Sequence, residues 1–139
     1  MIIAVDYGDV RTGIAVCDKN EMLASPLIVI TERKPDVLAK KISAICAENR
    51  AELIVLGLPK NMDGSEGFRA QAVREFAEEL KRETSLEVVL RDERLTTVSA
   101  HRLLNNTDTR GKKRKNTVDA VSAVLILEDY LGARRREKQ

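Results

Sequence analysis

The order of its apolar segments constrains the fold of this 139-residue chain more than any other feature. Two strand-like runs, residues 2–6 and 13–17, are joined by a short turn, and a third strand-like segment at residues 22–30 contains Pro26. Strand and helix patterns then alternate, which favours a mixed sheet with helices on its faces. The sequence therefore predicts an α/β fold in which the first three strands are antiparallel.

The segments after the third strand carry this alternation. In chain order we predict a helix at residues 36–49, a strand at 53–56, a helix on which Phe68, Ala72, Phe76 and Leu80 recur every four residues, a strand at 86–90, a helix through Leu104, and a last helix from about Thr117 to Leu131. No internal repeat or linker divides the chain. We expect one domain over residues 1–133 and a basic, disordered tail over residues 134–139.

Composition excludes several classes of protein. No apolar run approaches the roughly 18 residues of a membrane span, and the first run is broken by Asp6, unlike a signal peptide. The two cysteines, Cys17 and Cys46, have no metal-ligand spacing, so we expect reduced, buried thiols in a cytoplasmic protein.

The positive charge is concentrated in two short segments. Residues 110–115 read RGKKRK and residues 134–139 read RRREKQ, yet the net charge of the whole chain is only +2, so the remainder is acidic. Such blocks are either solvated surface or an electrostatic contact with a polyanion such as nucleic acid. In the second interpretation the contacting residues are Arg110, Lys112, Lys113, Arg114 and Lys115.

Acidic residues stand at positions that the fold should fix. Asp6 ends the first strand, Asp92 and Glu93 end the strand at 86–90, and Asp119 lies in the first turn of the last helix. In such sheets functional groups gather at the carboxyl ends of neighbouring strands, where several carboxylates would repel one another without a cation. Oxygen ligands of this kind suit Mg²⁺ or Mn²⁺. Taken singly, each acid has an ordinary alternative as a turn residue, a helix-terminal charge or a surface ion pair.

Four segments, DYGDVRTGIAV, GLPKNMDGSEG, DERLTT and NTVDAVSAVLIL, resemble in order the motifs of the YqgF family. The members are small bacterial proteins with an RNase H-like fold, described as Holliday junction resolvases and as nucleases that mature the precursor of 16S ribosomal RNA. The resemblance covers nearly the whole chain. It implies a five-stranded mixed sheet flanked by helices and a nuclease acting on structured nucleic acid, either precursor rRNA or branched DNA, as a monomer or a homodimer.

The same resemblance implies roles for single residues. Asp6, Glu93 and Asp119 would be the catalytic carboxylates, with Asp92 as a neighbouring metal ligand and possible substitute. Divalent ions held there would activate water and stabilise the departing oxygen of a phosphodiester. Arg11, in the turn after the first strand, would contact a phosphate or hold a carboxylate in place.

Other functions remain open at this point. Junction resolvases with this fold often carry a second acid one turn along the last helix, where this chain has Ser122. A non-catalytic RNA-binding factor for ribosome assembly or transcription is therefore one alternative. The other is a nucleotide-dependent phosphotransferase of the actin-like group, which the segment DYG…TG resembles but for which this chain is short.

Overall fold

The computed structural model describes residues 1–61, 63–92 and 111–137, and for residues 111–120 it describes the backbone alone. In chain order the elements are β1 Ile2–Asp6, β2 Arg11–Cys17, β3 Ala24–Thr31, α1 Pro35–Glu48, β4 Leu53–Leu58, α2 Phe68–Thr84, β5 Glu87–Asp92 and α3 Gly111–Glu137. The predicted helix through Leu104 lies outside the described residues.

The five strands form one mixed sheet in the order β3-β2-β1-β4-β5. β2 is antiparallel to both β1 and β3, whereas β4 runs parallel to β1 and β5 runs parallel to β4. The predicted α/β fold, with three antiparallel strands followed by alternating strand and helix, is confirmed. Because β1, β4 and β5 are parallel, their carboxyl ends lie at the same edge of the sheet, which we call the carboxyl edge.

Each face of the sheet packs against its own helices. Side chains of a strand alternate between the two faces. Ile3 and Val5 of β1 lie in the apolar core shared with α1 and α2, while Ile2 and Ala4 lie in the core shared with α3. All four side chains are at most 1% exposed. The even-numbered residues of β1 therefore lie on the side of the sheet that packs against α3. We call this side the α3 face.

Not all of the apolar residues that recur every four positions in α2 lie in the core. Phe68 is 96% exposed, whereas the buried residues of this helix are Ala70, Val73, Phe76, Ala77 and Leu80. A helix makes one turn every 3.6 residues, so a strict four-residue repeat drifts around its surface. Phe68, eight positions before Phe76, is thereby carried away from the core.

The last helix, α3, is longer at both ends than predicted. Its first residues, 111–115, belong to the basic segment that precedes the predicted start at Thr117; Lys and Arg are good helix formers. At the other end residues 134–137, expected in the disordered tail, are helical, and Arg135 Nη1 donates a hydrogen bond of 3.3 Å to the backbone oxygen of Glu21. Among the helices described, none combines the length and apolar character needed to cross a bilayer.

Candidate active site

Asp6 is the last residue of β1 and lies at the carboxyl edge. It is partly buried, and strand alternation places it on the α3 face after Ile2 and Ala4. In the sheet it pairs with Gly13 of β2, and on its other side Gly57 follows Leu56, the partner of Val5. Neither flanking glycine has a side chain, so the adjacent sheet positions do not cover the Asp6 carboxylate.

The turn that follows Asp6 is tightly built. A Cβ on Gly8 would lie 2.0 Å from the backbone oxygen of Arg11, so only glycine fits there without a backbone shift. The backbone N–H of Gly8 donates a hydrogen bond of 3.2 Å to Oγ1 of Thr12, whose side chain is fully buried. The turn therefore returns the chain into β2 in one fixed conformation.

Tyr7 connects this turn to α2. Its ring stacks on Phe76 with the centroids 4.2 Å apart and the planes at 8°. Arg69 approaches the same ring, with its guanidinium carbon 5.9 Å from the centroid, and donates a hydrogen bond of 2.8 Å to the backbone oxygen of Tyr7. Burial raises the pKa of the Tyr7 phenol, and the positive charge of Arg69 partly opposes that rise.

Arg69 also forms a short ion pair with Asp9, which is 82% exposed. Arg69 thus holds both Tyr7 and Asp9, the first and third residues after Asp6. We did not predict Arg69, Tyr7 or Asp9 as residues of the site. No local pattern could have indicated them, because Arg69 comes 62 positions after Tyr7 and the contact is made by the fold.

Alternation along β5 separates Asp92 from Asp6. Val89 packs against α3, and Arg91 reaches Asp129 of α3 with a hydrogen bond of 3.1 Å from its Nε, so odd-numbered residues of β5 lie on the α3 face. Asp92 pairs with Leu58, which is buried on the face of α1 and α2. Asp92 is therefore on the opposite face from Asp6. Glu93 lies outside the described residues.

The direction of α3 relates Asp119 to the same edge. Arg134 and Arg135, near the end of α3, contact Glu21, which lies in the turn after β2. Val16 at the end of β2 pairs with Ile3 at the start of β1, so α3 ends near the amino end of β1. Since α3 packs along the sheet, its earlier turns lie toward the carboxyl edge. The backbone of residue 119 is part of those turns, and its side chain is not described.

Two buried residues mark the side of α3 that faces the sheet. Ser122 is 3% exposed and Ala123 is fully buried, and they come three and four positions after Asp119. Residues at these spacings share one face of a helix. At Ser122 the chain thus has a small buried hydroxyl group and no acid.

The loop between β4 and α2 borders the carboxyl edge and has its own hydrogen bonds. The backbone N–H of Asn61 donates to the backbone oxygen of Ser65 at 2.8 Å, and the Ser65 hydroxyl donates to Asp63 Oδ1 at 2.6 Å. Gly64 has a positive φ of 90°, which glycine adopts without strain. Asn61 and residues 63–65 of this loop are thus held by local hydrogen bonds beside the end of β4.

Arg11 begins β2, and its odd number places it on the α3 face with Ala15 and Cys17. It is partly buried. As the first residue of β2, which is antiparallel to β1, it also lies at the carboxyl edge, so it shares both the face and the edge of Asp6. Of the predicted basic contact residues, Lys112, Lys113, Arg114 and Lys115 have a helical backbone in α3, and Arg110 lies outside the described residues.

The described side chains alone do not complete a metal site. Within residues 1–61, 63–92 and 121–137, no three His, Cys, Asp or Glu side chains are grouped closely enough to hold an ion. Asp6 is nevertheless suited to the task, because a partly buried carboxylate at a sheet edge offers the hard oxygen donor that Mg²⁺ and Mn²⁺ prefer.

Comparison with known proteins shows the family to which the chain belongs. A family described as "RuvX: Holliday junction resolvase" matches residues 1–133. A protein of Halothermothrix orenii named "Putative pre-16S rRNA nuclease" is 42% identical over 130 residues, which cover 94% of this chain and 93% of that protein. A protein of Cereibacter sphaeroides with the same name is 45% identical over 130 residues, covering 94% and 81%.

Solved structures show the same fold. RuvC of T. thermophilus, in complex with a Holliday junction substrate, superposes with a TM-score of 0.61 at 12% identity, covering 98% of this chain and 97% of that one. The Holliday junction resolvase of fowlpox virus gives a TM-score of 0.52 at 12% identity, covering 95% and 98%. The chain therefore belongs to the RuvX family, the YqgF family that its motifs indicated, and it is a nuclease with an RNase H-like fold.

Proposed function

We propose that Asp6, Glu93 and Asp119 together hold Mg²⁺ or Mn²⁺ and that the chain uses this site to hydrolyse phosphodiester bonds. One observation carries the proposal. The partly buried Asp6 carboxylate ends β1 at the carboxyl edge, with Gly13 paired on one side and Gly57 next in register on the other. A carboxylate so placed is fixed by the sheet and not covered by its neighbours in it.

The other two proposed ligands, Glu93 and Asp119, follow from their positions in the chain. Arg91, two positions before Glu93, reaches α3 with its side chain. Asp92 instead belongs to the even-numbered positions of β5, which lie on the opposite face. We therefore prefer Glu93 to Asp92 as the partner of Asp6. Asp119 precedes Ser122 and Ala123 by one turn of α3, on a helix whose early turns point to the carboxyl edge.

The chemistry follows from the donor types. A divalent cation bound by these carboxylates supplies the Lewis acidity for water to attack a phosphodiester, so no protein nucleophile is needed. Asp6, fixed at the end of β1, would hold the ion at the edge of the sheet. Arg11, on the same face, would neutralise a phosphate oxygen of the bound strand.

The substrate we propose is the precursor of 16S ribosomal RNA, in the cytoplasm. Relatives that are 42% and 45% identical over nearly the whole chain are named for that substrate. The second candidate is a four-way DNA junction, because the matching family is described as a Holliday junction resolvase. The basic residues at the start of α3 would contact the backbone of either nucleic acid, since phosphates attract Lys and Arg without regard to sequence.

The test is cleavage of both substrates in parallel. Labelled precursor rRNA and a labelled four-way DNA junction are incubated with the protein in Mg²⁺, in Mn²⁺ and with the metal chelated, and the Asp119→Asn protein serves as control. We expect metal-dependent cleavage of the precursor RNA that the Asp119→Asn protein lacks. Cleavage of the junction alone would move the substrate to DNA. Binding of nucleic acid without cleavage in any metal would contradict the nuclease site and leave a non-catalytic RNA-binding factor.

A further inference from the structure

We propose that Arg69 is a positioning residue for Asp6, acting through the turn that follows it. This inference rests on the proposed role of Asp6 as a metal ligand. It concerns a residue at the start of α2, on a different element from each of the proposed carboxylates.

Arg69 makes three contacts, all with the chain just after Asp6. Its Nη2 donates a hydrogen bond of 2.8 Å to the backbone oxygen of Tyr7, and its Nη1 pairs with Oδ1 of Asp9. Its guanidinium also lies over the Tyr7 ring, at 5.9 Å from the centroid. A guanidinium presents its donors in a rigid fork, so two simultaneous hydrogen bonds fix the relative position of the two acceptors.

A second residue of α2 also contacts Tyr7. Phe76, two turns further along α2, stacks on the ring at 4.2 Å and is only 2% exposed. Tyr7 is thus held by two residues of α2, one at the exposed start of the helix and one in the core. The backbone carbonyl and the ring of Tyr7 are therefore both held by α2, and Tyr7 is bonded directly to Asp6.

The ion pair between Arg69 and Asp9 is not explained by a contribution to the stability of the fold. The Arg69 and Asp9 side chains are 44% and 82% exposed, and exposed ion pairs contribute little to folding. Arg74 on the same helix is 47% exposed and pairs with Glu66, which is 33% exposed, at 2.6 Å; both of its described hydrogen bonds go to Glu66. Arg74 therefore provides a control of the same residue type, helix and side-chain exposure as Arg69, with a different partner.

The experiment compares Arg69→Gln, Arg69→Lys and Arg74→Gln in the full chain. We measure the dissociation constant for Mn²⁺ by electron paramagnetic resonance without nucleic acid, then single-turnover cleavage and substrate affinity. For Arg69→Gln we expect Mn²⁺ binding about tenfold weaker and cleavage about tenfold slower, with unchanged affinity for nucleic acid. We expect no change for Arg74→Gln. Arg69→Lys should resemble Arg69→Gln, because one ammonium group cannot reproduce the fork.

Five results would overturn the inference. Full recovery by Arg69→Lys, or a loss of substrate affinity in Arg69→Gln, would mean that Arg69 acts by its charge on the nucleic acid. Equal effects of Arg69→Gln and Arg74→Gln would mean that both substitutions act through a general loss of protein stability. Unchanged Mn²⁺ binding in Arg69→Gln beside a wild-type protein that binds Mn²⁺ and cleaves would reject the positioning role and spare the metal site. A wild-type protein that binds no Mn²⁺ would instead reject the metal site, and this inference with it.

Discussion

Asp6 of β1 is paired across the sheet with Gly13 of β2. The pairing gives the carboxylate a rigid backbone on one side and no neighbouring side chain in the sheet. Arg69 also donates a hydrogen bond to the backbone oxygen of the next residue, Tyr7. The predictions below test this placement and the packing that supports it.

Gly8 should tolerate no side chain. In Gly8→Ala the new Cβ would fall 2.0 Å from the backbone oxygen of Arg11, and backbone cannot yield as a flexible side chain does. We expect a loss of about 1–3 kcal/mol in the free energy of unfolding, measured with urea. Gly132→Ala in α3 is the control with the opposite sign. Its Cβ meets only the end of Arg136, so alanine should stabilise the helix by roughly 0.5–1 kcal/mol. Equal effects of the two variants would contradict the close approach at Gly8.

The two phenylalanines of α2 should differ sharply. Phe76 is 2% exposed and stacks on Tyr7, so Phe76→Ala should cost about 3–5 kcal/mol of stability. Phe68 is 96% exposed, so Phe68→Ala should change stability by no more than about 0.5 kcal/mol. Both are read from denaturant unfolding. A large loss on removing Phe68 would mean that its ring packs against the protein after all.

The difference between these two residues shows where sequence reasoning succeeded and where it ended. The order and pairing of the strands followed from local patterns, as did the position of Asp6 at a strand end, because apolar runs and parallel edges are decided by backbone geometry. The exposure of Phe68 could not be inferred from its spacing, because a four-residue repeat departs from the helical period. The contact between Arg69 and Tyr7 was beyond prediction, since it depends on how α2 docks against the sheet.

Cys46 should make stability depend on alkaline pH. Burial raises the pKa of its thiol from 9.0 to about 11, and the side chain is 4% exposed. The unfolded chain therefore releases this proton from about pH 9, whereas the folded chain retains it until about pH 11. The contribution is fully present below pH 9 and is lost as pH rises toward 11.

The check is unfolding by guanidinium between pH 8 and pH 11 for the wild type and for Cys46→Ala. The variant loses packing at every pH, but it also loses the ionisable group. Its deficit relative to wild type should therefore shrink above pH 9, by at most about 1.4 kcal/mol per pH unit. A constant deficit would mean that the Cys46 thiol is not the group responsible.

The basic start of α3 should contribute to nucleic-acid affinity. Replacing Lys112, Lys113, Arg114 and Lys115 with Gln should weaken binding to nucleic acid. The plot of the logarithm of the binding constant against the logarithm of salt concentration should also become less steep, because fewer counterions are released on binding. The matched control replaces four exposed cations of the same types at the other face of the sheet, Lys34, Lys40, Lys81 and Arg82. Affinity and salt slope are measured by fluorescence anisotropy. If the two sets behave alike, the basic segment is only solvated surface.

The most direct test of the account compares Asp6→Asn with Asp92→Asn in single-turnover cleavage with Mg²⁺. Both changes remove one carboxylate charge at the end of a parallel strand, but Asp6 lies on the α3 face and Asp92 on the opposite one. We predict that Asp6→Asn abolishes cleavage while folding and nucleic-acid affinity stay near wild type, and that Asp92→Asn retains cleavage. Cleavage by the Asp6→Asn protein at the wild-type rate would contradict a catalytic site built on Asp6, and equal loss in both variants would contradict the placement of Asp92 outside that site.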